Sequence, residues 1–235
     1  MEKTLIAYDL NEMGSGGILG LDEVGRGCIA GPLVVCGCYL DHALIEQNEK
    51  LLKTVNDSKK LSDKKRRELS RRLLNETHIP FLLIYMPAAD VDRLNPLRAT
   101  MEAMTRIIVK FRGIEKGIEE NPWPTTFDIK KILIDGSERP ADAPLSGFVL
   151  PPLKMIVSGD ATSAAIACAS IVAKVDRDVH MEKLHRRYPE YGFDAHKGYG
   201  TAVHNEAVLK HGPCREHRLT FSVGGKKIAD LNGGS

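Results

Sequence analysis

Apolar residues run almost unbroken from Ile18 to Leu21 and again from Ile29 to Leu40, with Asp22-Glu23 and Gly25-Arg26-Gly27 between them. Runs of that length bounded by glycine predict two buried strands, over 18–23 and 31–40, joined as a hairpin. Ser62 opens a charged helix, SDKKRRELSRRLL, and FLLIYM from Phe81 is a further strand. Helical spacing returns over 97–113, with Met101, Met104, Ile107 and Ile108 on one face. NPWPTTFD is a loop, because Pro122 and Pro124 exclude a regular element. KILID (131–135) and PPLKMIVSGD (151–160) repeat one plan, an apolar strand ending in an acid, here Asp135 and Asp160.

A long helix follows Asp160 to about Pro189, and a further one runs from Thr201 to Lys210. Ala164, Ala165, Ala167, Ala169 and Ser170 would let the long helix lie close against a sheet. Residues 1–17 end in MGSGG and predict a flexible lead. No strand precedes those glycines and no lysine follows them, so neither a dinucleotide nor a phosphate-loop pattern is met. Residues 226–235, ending DLNGGS, predict a frayed tail. Strands alternating with helices after an initial hairpin imply an α/β fold, a mixed sheet flanked by helices.

The chain is 235 residues long, 43% hydrophobic and 27% charged, which suits a soluble globular protein with one sizeable core. With 33 basic and 31 acidic residues, net charge selects no partner class, so a nucleic-acid surface must come from local patterning. No apolar run reaches the ~18 residues of a membrane span, and the N-terminus lacks a signal-peptide layout. Cys28, Cys36, Cys38, Cys168 and Cys214 form no paired framework, which points to reduced thiols and a cytoplasmic protein. Cys36 and Cys38 share a strand face and are expected as small buried hydrophobes rather than a metal pair.

The acids carry the chemistry. Functional groups in open α/β sheets gather beyond the carboxyl ends of strands, where Asp22-Glu23, Asp135 and Asp160 are expected. Carboxylates crowded there repel one another and raise their own pKa values unless a hard divalent cation neutralises them. Spacing alone leaves a second reading open, in which Asp160 caps a helix and Asp135-Gly136 makes a turn. Adjacent strand residues face opposite ways, so Asp22 and Glu23 share one ion only if the strand bends or the Glu23 carbonyl serves instead.

GLDEVGRGCIAGPLVV, NDSKKLS, ILIDG, SGD, ASIVAKVDRD, YPEYGF, HKGYGT and GPCREHRLTF, in this order from about residue 18 to 221, resemble the successive motifs of type 2 ribonuclease H (ribonuclease HII). The resemblance implies an RNase H-like catalytic domain over 18–185 and a helical C-terminal substrate-binding region over 186–225. It implies an endoribonuclease that cleaves RNA in RNA/DNA hybrids and 5′ to single ribonucleotides in duplex DNA, leaving 3′-hydroxyl and 5′-phosphate ends. By similarity Asp22, Glu23, Asp135 and Asp160 are the catalytic set holding Mg²⁺ or Mn²⁺. Gly25-Arg26-Gly27 resembles the loop that senses the 2′-hydroxyl, where a Cβ would block backbone approach. Tyr199 matches the tyrosine that stacks on the sugar at an RNA–DNA junction. The chain is expected to act as a monomer without an obligatory protein partner.

Of the basic residues between Lys59 and Arg72, Lys59 and Lys60 sit in the NDSKKLS motif and are phosphate-contact candidates. Lys174 and Arg177 either pair with acids on their own helix or meet phosphates. His196, His204, His211 and His217 are expected at the surface or as caps rather than on zinc, and Asp178 in an ion pair. Two positions depart from the family pattern: Cys28 stands where proline commonly follows Gly-Arg-Gly, which is expected to loosen that loop, and Ser158 where lysine precedes Gly-Asp. Another carboxylate nuclease of the same fold, resolvase-like, has no use for Gly25-Arg26-Gly27 with Tyr199. A silent nucleic-acid binder gains nothing from four acids beside phosphates.

Overall fold

In the computed structural model β1 (Gly17–Val24) and β4 (Ile129–Asp135) lie parallel, with Leu21 opposite Ile134, and β5 (Leu153–Ile156) continues the parallel set on the far side of β4. The structure describes residues 4–55, 61–113, 127–137 and 150–231. β2 (Leu33–Asp41) and β3 (Phe81–Met86) complete a mixed five-stranded sheet in the order β3-β2-β1-β4-β5. Ile18, Leu19 and Leu21 are fully buried, as are Leu33 to Cys36 and Ile132 to Ile134. Continuous apolar runs of this kind suit strands covered on both faces, and each such side chain contributes ~1.5–3 kcal/mol.

The described helices are α1 (Leu5–Met13), α2 (His42–Leu52), α3 (Asp63–Glu76), α4 (Ala88–Leu94), α5 (Pro96–Phe111), α6 (Ala164–Arg187), α7 (Phe193–His196) and α8 (Ala202–His211). Asp41, Ser62 and Thr201 cap α2, α3 and α8 through side-chain oxygens that accept from N–H groups in the first turn. The small residues of α6 allow the close approach their pattern predicts. A Cβ at Gly20 would lie 2.5 Å from the Ala165 carbonyl carbon and 2.6 Å from the Ile166 nitrogen.

Three expectations are corrected. Residues 5–13 are helix, not a flexible lead. Thr4 caps α1, Ile6, Asp9 and Met13 are buried, and Glu12 is held by Lys131 and Lys154, both at 2.6 Å. Asp9 reaches the start of α6, where its Oδ2 accepts from the Ala165 N–H at 2.8 Å. Burial lifts its carboxyl to about 7, with hydrogen bonds from Ser163, Ala165 and Ala164 pulling the other way. The second correction is at β5, which ends at Ile156, so Asp160 stands on a separate 3-10 turn, Gly159–Ala161, entered through a left-handed Ser158 (φ 56°). The third is at the tail: Lys226–Lys227 pair as β7 with β6 (Ser222–Val223), and Ile228 is fully buried.

The chain divides into two compact units, each assembled from separated segments. The first comprises Met1–Glu23, Val35–Ile84 and Met101–Val175; the second comprises Val24–Val34, Tyr85–Thr100 and Asp176–Ser235. The expected boundary at residue 185 therefore falls inside the second unit. That unit has its own core, in which Ile29 and Ala30 join Met181, Leu184, Tyr191, Phe193 and Val208. The NPWPTTFD loop lies outside the described residues except for Phe127 and Asp128.

Candidate active site

The first unit brings three of the four acids into one electrostatic group. Asp22, near the end of β1, is only 6% exposed. Its burial first, then the charges of Asp135 and Glu23, push its carboxyl well above the usual carboxylate range. The Ser170 hydroxyl and the Glu23 N–H, the latter at 2.8 Å, pull in the opposite direction. Asp135 ends β4 half-buried, and its Oδ1 accepts from the Gly159 N–H at 2.6 Å. Asp160, the next residue, is 2% exposed on the turn that this bond ties to β4. Asp160 does not cap α6; the Ser163 hydroxyl accepts from the Ile166 N–H there. β1 continues as a strand past Asp22-Glu23 to Val24.

Among the described residues no three histidine, cysteine, aspartate or glutamate side chains are arranged to hold a metal ion. The donor set is nonetheless all oxygen, and Asp22 is buried against the like charges of Asp135 and Glu23. A hard cation that keeps several of its waters needs only one or two carboxylates, and this set can offer that many.

The second unit contains the Gly25-Arg26-Gly27 loop and Tyr199. Of two fully buried arginines, Arg218 holds the loop by its carbonyls and Arg177 holds the segment that follows it. Arg218 donates to Gly25 O at 2.7 Å, Arg26 O at 2.9 Å and Gly31 O at 3.0 and 3.2 Å. Arg177 donates to Pro32 O at 2.9 Å, Lys197 O at 2.8 Å and Ala30 O at 3.2 Å. Burial, with Arg177 adding to it, lowers Arg218 to about 10, so it stays charged at neutral pH. Gly25 has φ +85°, and a Cβ there would collide with Arg177 Nε. The first glycine thus serves the protein's own guanidinium, whereas a Cβ at Gly27 would meet open space.

Tyr199 exposes 41% of its surface while its backbone is fixed. Its N–H donates to His196 O at 3.0 Å, and its carbonyl accepts from the Thr201 N–H at 2.8 Å. Cys28 is fully buried, and its thiol lies 3.8 Å from Lys197 O and beside the Tyr199 phenol.

Lys174 is half-buried on α6, and Lys59 and Lys60 lie outside the described residues. Arg177 spends Nε, Nη1 and Nη2 on carbonyls, those of Pro32, Lys197 and Ala30. Asp178 is buried on α6. Two of the histidines are corrected: His204 and His217 are buried and hydrogen-bonded to one another, whereas His196 is half-buried and His211 is exposed. Ser170, Arg177 and Arg218 support the candidate residues although hydrophobic patterning assigns them no such part. All three lie in or beside the quoted motifs, the one signal that singles them out.

A model of the family described as "Ribonuclease HII" matches residues 19–223. The chain belongs to the ribonuclease HII family. Ribonuclease HII of Chlamydia pneumoniae is 40% identical over 221 residues, covering 94% of this chain and 88% of that protein. The crystal structure of ribonuclease H2 from Pyrococcus horikoshii OT3 superposes with a TM-score of 0.66 at 22% identity, covering 92% of this chain and 98% of that one. Bst-RNase HIII in complex with Mn²⁺ gives 0.71 at 22% identity, covering 98% and 74%. These structures share the fold, an RNase H-like mixed sheet flanked by helices. Membership of the ribonuclease HII family makes the chain an endoribonuclease of the ribonuclease H kind. Among the described residues no helix is long and apolar enough to cross a membrane.

Proposed function

We propose that this ribonuclease HII cleaves the RNA strand of RNA/DNA hybrids, and duplex DNA on the 5′ side of a single ribonucleotide, by divalent-metal-dependent hydrolysis that leaves 3′-hydroxyl and 5′-phosphate ends. The carrying observation is the buried Asp22 carboxyl, pushed up by Asp135 and Glu23. Such a group is costly as it stands and favourable beside a cation. Asp22, Glu23, Asp135 and Asp160 would hold Mg²⁺ or Mn²⁺, which supplies an activated water and stabilisation of the leaving 3′-oxygen. The Gly159 N–H orients the Asp135 carboxylate, and Ser170 orients Asp22.

Substrate choice rests on the second unit. The loop carbonyls of Gly25, Arg26 and Gly31 are held by Arg218, which leaves backbone at Gly27 free of any side chain for approach to a 2′-hydroxyl. The exposed ring of Tyr199 offers a flat surface to a deoxyribose at the junction. Lys59, Lys60 and Lys174 would attract the backbone phosphates. The enzyme acts as a single chain in the cytoplasm, in ribonucleotide excision.

The test is a labelled DNA duplex containing one ribonucleotide, with an all-DNA duplex, Mg²⁺ or Mn²⁺, and Asp135→Asn as controls. One cut 5′ to the ribonucleotide, absent from both controls, is the expected result. Equal cutting of all-DNA would make it a general nuclease, and no cutting with either metal would leave a binding protein.

A further inference from the structure

The carbonyl of Tyr199 accepts a second hydrogen bond, from His204 Nδ1 at 2.9 Å. His204 Nε2 lies 3.1 Å from His217 Nε2, and His217 Nδ1 accepts the Cys214 N–H at 3.0 Å. The two ends fix every proton between them. A backbone N–H can only donate, so His217 Nδ1 is bare and its proton sits on Nε2. A carbonyl can only accept, so His204 carries its proton on Nδ1 and presents a bare Nε2. The contact in the middle is then His217 Nε2–H donating to His204 Nε2, and the whole chain of bonds, from Cys214 N–H to Tyr199 O, exists only while both rings are neutral.

We propose that His217 and His204 are positioning residues for substrate recognition, a proton-ordered relay that runs from the Cys214 backbone to the Tyr199 carbonyl and fixes where the Tyr199 ring is presented. The inference rests on the reading of Tyr199 as the residue that meets the sugar at an RNA–DNA junction. His196 braces the same segment from the other side, accepting the Gly198 N–H on Nδ1 at 3.2 Å and donating from Nε2 to Tyr191 O at 2.7 Å. Its ring stacks on His204 with centroids 4.2 Å apart.

Neutrality is enforced by the surroundings. Tyr191 packs on His217 at 4.7 Å and Phe193 on His204 at 5.4 Å between centroids. The titratable groups facing the pair are His196, Tyr191 and the Cys214 thiol, 3.2 Å from His217 Nδ1, with Glu216 and Glu190 acting on that thiol and His211 against Tyr191. Burial first, with neighbouring histidines adding to it, lowers His204 to about 3 and His217 to about 4. Protonating His204 would set N–H against N–H across the 3.1 Å contact, and protonating His217 would set its Nδ1–H against the Cys214 N–H across 3.0 Å.

The experiment joins kinetics to ¹⁵N NMR of the imidazoles in the full-length enzyme. His204→Gln removes the donor at the Nδ1 position, whereas His204→Asn keeps an amide donor close to it. On a duplex with a single ribonucleotide, His204→Gln is expected to raise KM roughly tenfold, the scale of one lost buried hydrogen-bond partner. Its kcat is expected to stay near that of the parent enzyme, its KM on a continuous RNA/DNA hybrid to change little, and His204→Asn to recover part of the loss. In a Tyr199→Ala background, His204→Gln is expected to add nothing. The ¹⁵N shifts should report a neutral Nδ1–H ring at 204 and a neutral Nε2–H ring at 217 at pH 6. The opposite tautomer, or a charged ring at that pH, overturns the relay. An unchanged junction KM in His204→Gln, with a raised one in Tyr199→Ala, overturns the positioning role alone. No effect of Tyr199→Ala overturns the reading of Tyr199 and the inference with it.

Discussion

Replacing Arg218 with lysine keeps the charge and removes the fork. The guanidinium donates four hydrogen bonds to three carbonyls, Gly25, Arg26 and Gly31, from a side chain with no exposed surface. A lysine ammonium is one nitrogen on a flexible stem and cannot span three oxygens that a planar group reaches from separate nitrogens. Two carbonyls left without donors, at ~1–1.5 kcal/mol each, give a loss of about 2–3 kcal/mol. For a chain of this size that lowers the thermal midpoint by roughly 5–10 °C. Urea unfolding followed by circular dichroism should show the midpoint falling with the slope unchanged, which separates lost stability from a change in the unfolded state. A loss below about 0.5 kcal/mol, the range of an ordinary surface substitution, would refute the argument that these carbonyls depend on the fork.

Three further outcomes are expected. Asp9 has its folded pKa raised from 3.8 to about 7, so its contribution is complete below about 3.8 and is lost as pH rises to about 7. Asp9→Asn should flatten the stability profile across that window, removing a penalty of roughly 4 kcal/mol at pH 8, as measured by urea titrations from pH 4 to 8. Asp22→Asn should abolish cleavage yet raise the thermal midpoint of the EDTA-treated protein at pH 8, because it deletes a buried charge facing Asp135 and Glu23; a lowered midpoint would count against the crowding argument. Gly20→Ala should cost ~1–3 kcal/mol, since the new methyl meets the α6 backbone rather than a side chain that can rotate away, and calorimetry would measure it.

The strands at Asp22 and Asp135 were legible because both acids close apolar runs whose burial the sequence announces. Asp160 was harder: the left-handed Ser158 ends β5 early, and no pattern of apolar residues marks a single positive φ. α1 was hidden by the glycines after it, although Thr4 and the spacing of Ile6, Asp9 and Met13 carry its signal. Arg177 and the paired histidines were misread, and Arg218 was passed over, for a common physical reason. Their partners are backbone groups, which look alike at every position in a sequence, and some lie nearly the whole chain away. A family resemblance selects such residues without saying what they touch.

The bond from Arg218 to the Gly25 carbonyl joins positions 193 residues apart. At ~5–20 residues per second, the loop leaves the ribosome roughly 10–40 s before the side chain that fixes it has been made. Asp22 and Glu23 exist from the start of that interval and Asp135 only from its second half, while the loop proposed to choose their target has no clamp. Fixing this loop is therefore a late event of synthesis, and a chain released between residues 160 and 218 would carry all four acids without the arginine that holds the loop.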